Sequence, residues 1–87
     1  MMYTIVVTEY AIRQLKKLPP QVVQKLKEAI ATLASEPRPH NHIKLTGIDA
    51  YRIRMGNYRI VYEINDAVVL VVVVVEVSDR KETYRKR

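Results

Sequence analysis

The sequence contains no cysteine, which excludes a disulfide framework and any thiolate metal site and gives no sign of an oxidising compartment. Glycine and proline are scarce, at two and four residues among 87, too few for a flexible linker or a low-complexity segment. Long apolar runs are missing as well. The longest uncharged run, Ala67 to Val75, has nine residues, almost all valine, whereas a membrane-spanning helix needs about 17–25. The opening Met1-Met2-Tyr3-Thr4-Ile5-Val6-Val7 has neither the charged start nor the small-residue cleavage site of a signal peptide. A cytoplasmic protein with no membrane partner is the expectation.

What is present fits one globular domain spanning residues 1–87, with 48% hydrophobic and 28% charged residues and no internal repeat. A chain this short buries only about 60–65% of the surface its unfolded form exposes, so modest stability is expected. The net charge of +6 is localised. Residues 51–59 carry Arg52, Arg54 and Arg59 with no acid, giving +3, and residues 78–87 carry five cations against Asp79 and Glu82, again +3; the rest sums to zero. Charge confined to two short segments suggests a focused field for a polyanion such as RNA.

The pattern of apolar residues predicts a β-α-α-β-β-β order. Tyr3 to Val7 reads as a strand, and Thr8 as the N-cap of a helix carrying Ala11, Ile12, Leu15 and Leu18 at helical spacing, stopped by Pro19-Pro20. A second helix starts at Pro20, bears an apolar stripe of Val22, Val23, Leu26, Ala29, Ile30 and Leu33, and ends near Glu36-Pro37. Ile43-Lys44-Leu45 and Thr46-Gly47 precede two alternating segments, Tyr51 to Met55 and Tyr58 to Ile64. Gly56-Asn57 between them has the glycine-first chemistry of a two-residue type II′ turn. After Asn65-Asp66, a valine strand runs from about Val68 to Val77, and its β-branched, uncharged composition fits a central strand covered on both faces. The expected fold is α+β: an antiparallel sheet with a two-helix hairpin packed on one face.

If Gly56-Asn57 forms the loop, Arg54 lies directly opposite Arg59, and Arg52 sits two residues along the same face. Like charges directly opposite in a sheet cost on the order of tenths of a kcal/mol up to 1. A phosphate placed among the three guanidiniums converts that repulsion into charge-assisted, bidentate hydrogen bonds. The plainer alternative is that these arginines are solvated polar positions of a half-exposed sheet. The basic tail, residues 78–87, sets Tyr84 among Arg80, Lys81, Arg85, Lys86 and Arg87, an arrangement suited to stacking an unpaired base while cations hold its phosphates. A frayed, solvated tail is the alternative there. His40 and His42 offer only two ligands, insufficient for a zinc site, so no metal or other cofactor is expected. Tyr51, Tyr58 and Tyr62 share a face with isoleucines and read as packing residues. Glu63 and Glu76 read as salt-bridge partners near the cationic face, with a catalytic carboxylate a lesser alternative.

The block from Tyr51 to Ile64, the hydrophobic strand after it, and Asp79-Arg80-Lys81-Glu82-Thr83-Tyr84 resemble the RelE toxin family, as do Leu45-Thr46-Gly47 and the two leading helices. That resemblance implies a toxin of a type II toxin–antitoxin system that enters the ribosomal A site, cleaves the bound mRNA and is neutralised by a cognate RelB-like antitoxin. It also implies that Arg52, Arg54, Arg59, Arg80 and Tyr84 occupy catalytic positions, with Lys81, Arg85, Lys86 and Arg87 as RNA-binding cations. The chemistry is then metal-free attack of an RNA 2′-hydroxyl on the adjacent phosphate. Arg54 and Arg59 hold the phosphate, Arg80 stabilises the transition state or the leaving 5′-oxygen, and Tyr84 stacks on or hydrogen-bonds the nucleotide. Some members have lysine where this chain has Arg52 and Arg54, and others a histidine where Ser78 or Asp79 stands. Arginine remains protonated, so the group that removes the proton is unassigned. The alternatives are a ParE-like toxin that poisons DNA gyrase and an inactive RNA- or antitoxin-binding module. The two +3 segments predict that affinity for RNA or ribosomes falls steeply across roughly 50–300 mM salt; a flat response in a binding titration would contradict a phosphate-dominated site.

Overall fold

The computed structural model describes residues 2–65 and 71–79. In chain order the elements are β1 (Thr4–Val7), α1 (Glu9–Lys16), α2 (Pro20–Thr32), β2 (Ile43–Lys44), β3 (Tyr51–Met55), β4 (Tyr58–Asn65) and β5 (Val71–Asp79). The expected helix starts and hairpin turn hold, whereas α2 ends at Thr32, short of the expected Glu36-Pro37. Thr8 caps α1, its Oγ1 accepting from the Ala11 N–H at 3.2 Å, and Pro20 opens α2 at a position whose missing N–H costs nothing. Gly56 has φ of 62° and Asn57 is not left-handed, as a type II′ turn requires. The register that this turn dictates follows, with Met55 opposite Tyr58 and Arg54 opposite Arg59.

The five strands are ordered β1-β5-β4-β3-β2. Strands β2 to β5 are antiparallel to their neighbours, but β1 runs parallel to β5, from Thr4 opposite Val71 to Val7 opposite Val74. The sheet is therefore mixed, which corrects the expectation of an antiparallel one. Short turns force β3 and β4 to alternate direction, whereas the helical hairpin between β1 and β2 frees β1 to join either edge in either sense. By pairing with β5, β1 makes the valine strand an interior one.

One face of the sheet carries the core. Ala11 and Leu15 of α1, Leu26 and Ile30 of α2, and Leu33 just after it pack on Ile53, Ile60, Tyr62, Val72, Val74 and Val77. Ile12 departs from the expected stripe: it is 39% exposed and faces an open groove instead of the core. A β-bulge between Val61 and Tyr62 in the β4–β5 ladder reconciles Val74 and Val77, three positions apart, on the same face: Val61 pairs with Glu76 but Tyr62 with Val74. The valine strand thus extends to Asp79, so Ser78 and Asp79 belong to the sheet and not to a tail.

Tyr62 anchors the loop after α2. It is fully buried, its ring stacks on Tyr51 with centroids 5.9 Å apart, and its hydroxyl donates to the Pro37 carbonyl at 2.7 Å. Burial pushes its pKa up from 10.0 to about 12, with Tyr51 adding to the rise and Arg38 opposing it. Because the folded-state pKa lies above the unfolded one, this tyrosine's contribution is fully present below pH 10 and is lost as pH climbs toward about 12. Tyr62→Phe is expected to cost about 1–3 kcal/mol at neutral pH, by stranding a buried carbonyl. In urea titrations at neutral and alkaline pH, the gap between the two proteins should narrow at the alkaline end; a constant gap would refute a buried, protonated Tyr62.

Candidate functional site: an arginine face on the sheet

Alternation along the strands sends every second side chain away from the core. With Ile53, Ile60 and Val77 buried on the helical side, Arg52, Arg54, Arg59, Val61, Glu76 and Ser78 fall on the opposite face. Their order is set by two registers. One row runs Arg54, Arg59, Ser78 and the next runs Arg52, Val61, Glu76, across β3, β4 and β5. The hairpin turn fixes the first pairing in each row, and the bulge fixes the second.

The three arginines are not equivalent. Arg54, on β3 near the turn, is exposed, while Arg52 and Arg59 are half-buried. Arg59 sits on β4, between Arg54 on one side and the buried Ser78 on the other. Its Nε is buried and finds no hydrogen-bond partner among the described residues. A buried polar atom without a partner costs free energy that folding alone has no reason to accept, so it points to a ligand acceptor. A phosphate between Arg54 and Arg59 meets both needs at once: it screens the facing charges and accepts from the orphaned donor. Such preorganised guanidiniums also suit a pentavalent phosphorane, whose charge develops on the equatorial oxygens.

The structure therefore brings together three of the five expected catalytic residues, Arg52, Arg54 and Arg59. Arg80 and Tyr84, with Lys81, Arg85, Lys86 and Arg87, lie outside the described residues. The histidines sit elsewhere. His40 is exposed, and the His42 Nδ1–H donates to the Pro39 carbonyl at 2.5 Å, its ring 5.7 Å from that of Tyr51. Tyr51 also has the Arg38 guanidinium 5.4 Å and the Lys44 ammonium 5.7 Å from its ring centroid, a role in loop anchoring consistent with packing. Only the register after the bulge shows that Ser78 shares the arginine face and lies opposite Arg59.

A family model described as the ParE toxin of the type II toxin–antitoxin system parDE matches residues 5–84. The toxin RelG of Mycobacterium tuberculosis is 34% identical over 88 aligned residues, covering 99% of this chain and all of RelG. Among solved structures, the toxin–antitoxin complex RelBE2 from Mycobacterium tuberculosis superposes with a TM-score of 0.81 at 32% identity, over 92% of this chain and 100% of the matched one. The archaeal RelE–RelB complex from Pyrococcus horikoshii gives 0.80 at 29% identity, over 92% and 97%. This chain belongs to the RelE/ParE superfamily of type II toxin–antitoxin toxins.

Arg59→Ala tests whether the central guanidinium serves the fold or a ligand. Removing it relieves the pairing with Arg54 and deletes an unsatisfied buried donor, so the melting temperature is expected to stay unchanged or rise. A marked fall in thermal unfolding would show Arg59 to be structural.

Proposed function

We propose that this toxin is a ribosome-dependent, metal-free mRNA endoribonuclease of the RelE type that halts translation in the cytoplasm. The observation that carries this reading is the pairing of Arg54 with Arg59 around a buried, unpartnered Nε, which suits a phosphodiester. Arg54 and Arg59 bind its non-bridging oxygens, and Arg52 extends the cationic surface one row along the sheet. Arg80 stabilises the transition state or the leaving 5′-oxygen, Tyr84 stacks on or hydrogen-bonds the nucleotide, and Lys81, Arg85, Lys86 and Arg87 hold flanking phosphates. The similarity to toxins solved in complex with RelB supports the reading at the level of family.

A cognate RelB-like antitoxin follows from the same relatives and from the surface. Between β1 and the helical hairpin lies a groove of about 840 Å³, lined by Ile5, Val7, Ile12, Leu15, Val23 and Ile30 among others. An apolar groove of this kind beside a strand edge that is unpaired among the described residues suits a protein partner, and the net charge of +6 favours an acidic one.

The match to the ParE model favours a second reading, in which the same fold inhibits DNA gyrase without cutting RNA. Primer extension on mRNA in programmed ribosomes separates the two. The nuclease reading expects cleavage by the parent chain and a loss of roughly 10²-fold or more in Arg59→Ala, the scale for removing one transition-state donor. Intact mRNA together with inhibited gyrase supercoiling would establish the ParE-type activity instead.

A further inference from the structure

The proposed site holds a phosphate but lacks a group to take the proton from the attacking hydroxyl, since guanidiniums are donors only and stay charged. Glu76 stands on the same face. It lies directly across from Val61, which lies across from Arg52, while Arg59, two residues before Val61, pairs with Ser78. Glu76 is thus the diagonal neighbour of Arg59, at about 7–8 Å in strand geometry. Without the bulge at Val61/Tyr62 this carboxylate would point to the core side. Glu76 is half-buried, and no ion pair occupies it among the described residues. Glu63 shares the face but is exposed and pairs with Val73, four positions along β4 from Arg59.

We propose that Glu76 is the general base of this site, an inference that rests on the nuclease reading above. For a phosphate bound by Arg54 and Arg59, Glu76 is the carboxylate one diagonal step away, on the side where an adjacent ribose directed toward the second row would meet it. The Glu76 carboxylate takes the proton of the 2′-hydroxyl as the O2′–P bond forms and the P–O5′ bond breaks. The leaving 5′-oxygen takes a proton from water, and the hydroxide so formed recovers the proton from Glu76. The products are a 2′,3′-cyclic phosphate and a free 5′-hydroxyl. A positioned general base contributes typically 10²–10⁴-fold.

The test uses the full chain in single-turnover cleavage of mRNA on programmed ribosomes, with binding measured on the same ribosomes. Glu76→Gln keeps shape and hydrogen bonding but cannot take up a proton, so cleavage is expected to fall about 10²-fold or more. Binding should be unchanged or tighter, because a negative charge has left a phosphate site. Glu76→Asp should retain well above the activity of the glutamine variant. Among the described residues the charged groups that share the face with Glu76 are Arg52, Arg54, Arg59 and Glu63. Parent-like cleavage by Glu76→Gln overturns the proposal while leaving the nuclease reading intact. Equal losses in both variants, accompanied by weaker binding or a lower melting temperature, also overturn it and make Glu76 structural. A parent chain that arrests growth yet cleaves no mRNA removes the nuclease reading itself and the base with it.

Discussion

The pairing of β4 with β5 is the constraint on which both halves of this molecule depend. Its ladder runs from Tyr58 opposite Asp79 to Asn65 opposite Val71, broken once at Val61/Tyr62. On the helical side, that break brings Val72, Val74 and Val77 into one core with Ile60 and Tyr62. On the other side, it brings Glu76 and Ser78 beside the arginines of β3 and β4. A strict alternation would satisfy either the first part of β5 or the second, since residues an odd number apart point to opposite faces. One extra residue lets a single strand serve the core and the cationic face along its whole length.

The two faces answer to opposite demands. The helical face gathers apolar side chains whose removal from water holds the domain together, at roughly 25 cal/mol per Å². The arginine face works against folding, with Arg54 facing Arg59 and a buried Nε left unpartnered. Such local conflict is tolerable because β3 and β4 are fixed independently by the Gly56-Asn57 turn and by Ile53 and Ile60 beneath them. A site on paired strands also holds its donors in place before a ligand arrives, which is what stabilisation of developing phosphate charge requires.

The apolar groove and the arginine face lie on different parts of the surface. The apolar groove beside β1 arises because Ile12 and Val23 lie on the outward side of the helical hairpin, together with Ile5 and Val7 from the edge strand. The arginines lie across the sheet from those helices. A partner seated in the groove therefore leaves the cationic face free unless a further segment of that partner reaches around the sheet.

By itself the sequence determined the features that depend on neighbours in the chain. Thr8 as a cap, Pro20 as a helix start and Gly56-Asn57 as the turn are local stereochemistry, and the turn alone sets Arg54 opposite Arg59. The resemblance carried by residues 51–64 and the flanking segments led to the family. The tertiary structure decided what depends on distant pairing. It placed β1 parallel to β5, because a strand separated by two helices has no turn to dictate its direction. It turned Ile12 outward, because a helical stripe wider than the contact surface leaves one edge uncovered. Glu76 was legible as a neighbour of the cationic face, but the structure fixed it one diagonal step from Arg59 and set Ser78 opposite Arg59, because the bulge that shifts their alternation is a property of two strands paired together, and no periodicity within a run of valines records it.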